Sequence, residues 1–87
     1  MNVFVFSVRA KKIFLSLEKK TQQRIREKLE DLKTHPDISV MLRGLQNIPP
    51  ATHRLRVGSF RLILEQKSKE KFLVLDIGHR KEIYKQE

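Results

Sequence analysis

The chain of 87 residues has room for one domain with one core, and 39% hydrophobic residues are enough to fill it. It contains no cysteine, which excludes disulfides, thiolate nucleophiles and Cys-based zinc sites and fits a reducing compartment, the cytoplasm by default. Nineteen Lys and Arg against ten Asp and Glu leave a formal charge of +9, so nucleic acid or an acidic protein is the expected partner.

The chain opens with VFVFSV, a first strand rich in β-branched and aromatic residues. This run and FLVLDI from Phe72 are the longest apolar stretches, far short of the roughly 20 residues that cross a bilayer. Nor does the N-terminus have a signal-peptide pattern, so a soluble, unprocessed chain without a membrane partner is expected. After Ser7, a plausible N-cap, Ala10, Ile13, Phe14 and Leu17 fall on one helical stripe. Ile25, Leu29 and Leu32 repeat the pattern in a second helix, which Thr21 caps or kinks and Thr34-His35-Pro36 ends. Residues 35 to 50 read as an irregular connection, with a short helical turn near Val40–Leu42.

From Thr52 the period becomes two. HRLRV, FRLILEQ and KFLVLDI are three successive strands, the first two joined by Gly58-Ser59, a two-residue II′ hairpin signal. The polar stretch Lys67–Glu70 reads as a looser connection, and Gly78 as the end of the last strand. The order β-α-α-β-β-β specifies an α+β domain spanning 1–87, with a mainly antiparallel sheet and a helical hairpin on one face.

A Gly58-Ser59 loop pairs Val57 with Phe60, Arg56 with Arg61, Leu55 with Leu62 and Arg54 with Ile63. Leu55, Val57, Phe60, Leu62 and Leu64 then face the helices, while Arg54, Arg56 and Arg61 emerge together on the other side. Opposed like charges are unfavourable by about 0.2–1 kcal/mol, so a cluster of guanidinium groups on a rigid hairpin points to a preorganised anion site. Guanidinium is always charged and grips phosphate with a bidentate fork. His79, Arg80 and Tyr84 follow where the chain leaves the sheet, and together these groups suit a phosphodiester: arginine for developing charge, imidazole for proton transfer, an aromatic ring for a base. Singly, each has an ordinary reading: His79 a strand-end residue, Tyr84 a core-edge packer, Arg80 the partner of a carboxylate such as Glu82. His35, in a helix-ending turn, and His53, beside a proline-rich loop, are poorer candidates. No His/Asp/Glu set has metal-ligand spacing, and Asp76 alone does not make a two-metal nuclease.

The element order, with LRGL at 42–45, HRLRVGSFRLIL at 53–64 and VLDIGHRKEIY at 74–84, resembles the RelE/ParE superfamily of bacterial and archaeal toxins over essentially the whole chain. The basic hairpin with a C-terminal Arg and Tyr is more similar to the RelE branch. That resemblance implies a toxin of a type II toxin–antitoxin system, a ribosome-dependent endoribonuclease that cuts mRNA and is held inactive by a cognate antitoxin. It implies no metal and no cofactor; the ribose 2′-hydroxyl attacks the adjacent phosphate. By position, Arg54 and Arg56 occupy the two basic hairpin sites, Arg61 that of the transition-state arginine, Arg80 that of the C-terminal arginine and Tyr84 that of the base-stacking tyrosine. Arg43, within LRGL, joins Arg54 in binding RNA phosphate. RelE members often carry lysine at the hairpin positions, whereas arginine here keeps its proton. A general base therefore comes from elsewhere, with His79 the first choice, or catalysis runs mainly on positioning and charge stabilisation. The alternatives are a ParE-like gyrase poison with no nuclease site and a basic module that binds RNA without cutting it.

Overall fold

The computed structural model describes residues 1–79. Strand β1 (Val3–Phe6) leads into helices α1 (Val8–Ser16) and α2 (Lys19–Lys33). A 3₁₀ turn (Ile38–Val40) precedes the short strand β2 (Arg43–Gly44), and β3 (His53–Val57), β4 (Phe60–Ser68) and β5 (Lys71–His79) complete the sheet. Its order is β1-β5-β4-β3-β2, with β1 parallel to β5 and every other pair antiparallel.

The helical stripes become the core as their spacing requires. Ala10, Phe14, Ile25, Leu29 and Leu32 are buried against Leu55, Val57, Leu62, Leu64, Phe72, Val74 and Ile77, with Ile13 and Leu17 packed at the margin. Ser7 is the N-cap of α1, its Oγ accepting from the Ala10 N–H at 3.0 Å. The same hydroxyl donates to the Leu75 carbonyl at 3.1 Å, and the Ser7 N–H donates to the Val74 carbonyl at 2.9 Å. One residue thus ends β1, starts α1 and ties both to β5. The other end of the hairpin is held by Asn2, 7% exposed, whose Nδ2 donates to the Leu32 carbonyl at 2.8 Å. Its backbone N–H reaches the Lys33 carbonyl, so Asn2 serves two carbonyls that a helix C-terminus otherwise leaves open.

Several elements differ from their sequence reading. The connection 35–50 contributes a fifth strand, because Arg43 and Gly44 pair with Arg54 and His53. Helix α2 begins two residues before Thr21, with Glu18 at its N-cap and no side-chain cap. Lys69-Glu70 is a tight two-residue turn, with Ser68 facing Lys71. Strand β5 runs through Gly78 to His79.

The register of β5 contains the decisive irregularity. Ile63 pairs with Asp76 while the next residue, Leu64, pairs with Val74, so Leu75 is a bulge without a partner on β4. Side chains alternate along a regular strand, and the bulge resets that alternation. Val74 and Ile77, three residues apart, therefore both face the helices, at 0% and 3% exposure. Without it, keeping Val74 in the core would turn Asp76 inward and Ile77 outward, and keeping Ile77 there would turn Val74 out.

Truncating the centre of this core has a defined cost. Leu62→Ala should lower unfolding free energy by about 2–5 kcal/mol, whereas Val8→Ala, at an exposed position, should stay within about 0.5 kcal/mol. Urea denaturation followed by circular dichroism checks both; equal midpoints would refute the assignment of Leu62 to the core.

Candidate functional site

The Gly58-Ser59 turn has the expected geometry. Gly58 lies at φ +60° and Ser59 outside the positive-φ region, as a II′ loop requires, and the pairing is Val57–Phe60, Arg56–Arg61, Leu55–Leu62 and Arg54–Ile63. Since directly opposed residues share a face, two rows of side chains stand on the side away from the helices. One row is Arg43, Arg54, Ile63 and Asp76; the other is Arg56, Arg61 and Gly78. Arg56 and Arg61 sit one step inside a two-residue turn, which makes them the closely spaced pair type, with Cα atoms about 4.5 Å apart. Gly78 adds no side chain beside Arg61.

The arginines line one cleft. Arg43, Arg54, Arg56 and Arg61 share it with Val40, Met41 and Leu42, and its volume is about 340 Å³. Arg61 is not on open surface as expected from the sequence but 7% exposed, whereas Arg56 and Arg43 are exposed and Arg54 half-buried. A charge held away from bulk water acts more strongly on a neighbouring anion than one that is fully solvated. Val40 and Met41 went unnoticed in the sequence because they lie in an aperiodic stretch, where no alternation marks which side they face.

One correction concerns His79. His79 pairs with Phe60, whose other partner is Val57, so its side chain belongs to the row on the helix side of the sheet. Its ring meets Phe60 edge-on at 5.7 Å between centroids, and it is not brought to the arginine cleft. The physical reason is the bulge at Leu75, which places Gly78 rather than His79 opposite Arg61. His53 packs edge-on against Phe72 at 6.1 Å, and His35 Nδ1 accepts from the Asp37 N–H at 3.1 Å. Asp76 stands on the cleft side with its Oδ1 accepting from the Ile77 N–H at 2.9 Å and pairing with Arg9 Nε at 3.2 Å. Arg80 and Tyr84 lie outside the described residues.

A larger cleft of about 590 Å³ lies at the far end of the sheet, lined by Met1, Asn2, His35, Asp37 and Glu70 among others. Its charges compensate each other: the Met1 ammonium hydrogen-bonds Glu70 and holds that carboxyl below the usual range. Size alone therefore does not select the site; concentration of one charge sign does. Among the described residues no group of three His, Asp or Glu side chains is arranged to hold a metal ion, and no helix is long and apolar enough to cross a membrane.

Comparison with known proteins places the fold. A family described as the ParE toxin of the type II toxin–antitoxin system parDE matches residues 4–84. Among solved structures, a chain of the RelBE2 toxin–antitoxin complex of Mycobacterium tuberculosis superposes with a TM-score of 0.74 at 20% identity, over 91% of this chain and 98% of that one. A chain of the intact E. coli RelBE complex gives 0.69 at 21% identity, over 91% and 96%. The isolated E. coli RelE toxin gives 0.67 at 23% identity, over 99% and 94%. No curated protein is similar enough to count as a match.

The opposed arginines generate a stability prediction. Arg56→Gln should raise unfolding free energy by about 0.2–1 kcal/mol at low ionic strength, because it removes a like-charge contact from an exposed position. The gain should shrink in 1 M salt, where the Debye length is about 3 Å. Denaturant midpoints at the two salt levels test this; a loss of stability would mean that Arg56 is held by favourable contacts.

Proposed function

Because the chain belongs to the RelE/ParE superfamily of type II toxin–antitoxin toxins, we propose that it is a ribosome-dependent endoribonuclease of the RelE kind, acting in the cytoplasm and neutralised by a cognate antitoxin. The observation that carries this reading is the cleft in which Arg54, Arg56 and Arg61 converge with Arg43 on the open side of the sheet. Four guanidinium groups in one small cleft match the charge and geometry of a phosphodiester backbone. RelE toxins of similar fold occur in complexes with RelB antitoxins, which supports a proteinaceous antitoxin as the partner here.

In the proposed reaction the ribose 2′-oxygen forms a bond to the adjacent phosphorus and the bond to the 5′-oxygen breaks. The products are a cyclic phosphate and a 5′-hydroxyl, with the 2′-proton lost and one proton gained by the leaving oxygen. Negative charge grows on the non-bridging oxygens as phosphorus becomes five-coordinate. Arg61, the buried member of the cluster, is assigned to that charge, where a fixed donor in a partly dehydrated site is most effective. Arg56, directly opposite, holds the same phosphate, and Arg54 and Arg43 hold the backbone on one side of it. Arg80 and Tyr84 keep the roles their positions in the family motif imply, a second charge on the phosphate and a ring against a base. With His79 across the sheet and arginine at both hairpin positions, no protein base is assigned among the described residues. Rate enhancement then rests on alignment of the 2′-oxygen and on charge stabilisation.

A second reading is favoured by the family match itself, whose description is of ParE toxins. On that reading the protein poisons a topoisomerase by binding it, and the arginine cleft docks a protein or DNA surface without cutting RNA.

Purified protein added to ribosomes stalled on an mRNA should produce new 5′ ends within the decoding site, mapped by primer extension. Arg61→Ala should lower the single-turnover rate by about 10²–10³ while ribosome binding changes little. Uncut mRNA alongside inhibition of gyrase supercoiling would overturn the nuclease in favour of the second reading. Equal loss of rate and binding would make Arg61 a docking group.

A further inference from the structure

Two large apolar side chains stand on the rim of the arginine cleft without a packing role. Val40 is 69% exposed and Met41 38%, while their neighbours Ile38 and Leu42 turn inward to the core. The segment that carries them is held in place. Asp37 Oδ1 accepts from the Ser39 N–H at 3.2 Å, and the Met41 N–H closes the 3₁₀ turn on the Ile38 carbonyl at 2.9 Å. Strand β2 begins two residues later and fixes Arg43 opposite Arg54. The result is an apolar wall that shares one cleft with four guanidinium groups.

We propose that Val40 and Met41 form the surface on which a nucleobase of the bound RNA rests while the adjacent arginines hold its phosphate, an assignment that rests on the nuclease reading of the cleft. Each nucleotide carries a strong anion and a flat, weakly polar ring a few ångströms apart, and one small cleft here is lined by both kinds of complementary surface. Its volume, about 340 Å³, lies at the small-ligand end of the roughly 300–1,000 Å³ range. That is the scale of one nucleotide, whereas a helix from a protein partner, about 10–12 Å across, needs a longer groove. The wall offers no hydrogen-bond donor from its side chains and only a weak thioether acceptor, and a thioether adapts its shape to what it meets. It therefore supports any base rather than selecting one, leaving the choice of sequence to other contacts.

The test uses the full chain and two 2′-O-methyl trinucleotides that cannot be cleaved, identical except that one lacks its central base. In a Tyr84→Ala parent, which lacks the ring assigned to a base above, the base-bearing oligonucleotide should bind roughly fivefold more tightly, no more than the low end of what an aromatic stacking partner contributes per base. Adding Val40→Ser/Met41→Ser to that parent should make it bind both alike, with the parent's salt dependence, because the phosphate contacts are untouched. Met41→Leu should keep the preference, and thermal melts should show the folded state unaltered, since both positions are exposed. A preference that survives Val40→Ser/Met41→Ser in the Tyr84→Ala parent, or is missing from that parent, overturns the assignment and leaves the two side chains to a protein partner. The nuclease reading fails separately: the preference in that parent, with wild type that leaves ribosomal mRNA intact, refutes cleavage and retains the wall.

Discussion

Arg56 and Arg61 stand face to face on neighbouring strands, and the rest of the molecule keeps them there. Their repulsion is worth about 0.2–1 kcal/mol, while the residues flanking them on the opposite side of the same strands are core. Leu55 and Leu62, at 2% and 0% exposure, each contribute about 1.5–3 kcal/mol on burial. The apolar face decides the register and the charged face has to follow. A strand pair with arginine on one side and a leucine ladder on the other can thus hold a concentration of positive charge that isolated side chains would avoid. The arginine cluster is preorganised because its alternatives would expose the core.

The second controlling feature is the contact between Ser7 and the β5 bulge. The Ser7 hydroxyl caps α1 and also meets the carbonyl of Leu75, the one residue in that stretch without a partner on β4. Helix layer and sheet are joined at the point where the sheet changes its alternation. Downstream of it, Ile77 returns to the core, Gly78 lies beside Arg61 and His79 crosses to the helix side. The consequence for chemistry is direct: an imidazole that the linear motif sets next to an arginine is separated from the cleft by the thickness of the sheet.

On the nuclease reading, catalysis in this cleft would depend more on charge than on proton transfer. Lysine can serve as a base when burial lowers its pKa, but arginine cannot, and both hairpin positions here are arginine. The burial of Arg61 places one of these fixed charges where solvent screens it least. Phosphate contacts position a nucleic acid without reading its sequence, and on the proposed reading the apolar rim at Val40–Met41 would extend the same tolerance to the bases. Specificity for a place on mRNA would then come from the ribosome and from how the toxin docks on it.

Much of this was legible in 87 residues. The helical stripes at Ala10–Leu17 and Ile25–Leu32, the Ser7 cap, the Gly58-Ser59 turn and the pairing of Arg56 with Arg61 all follow from local rules, since side-chain period, capping chemistry and a two-residue loop involve only near neighbours. The parallel placement of β1 against β5, the short strand at Arg43–Gly44, the bulge at Leu75 and the burial of Arg61 were decided by tertiary structure alone. Each depends on contacts between segments far apart in the chain, where no local spacing records which residue will be skipped or covered. The side on which His79 stands is the clearest case: one unpaired residue earlier in the strand reverses it, and only packing Ile77 into the core determines where that residue falls.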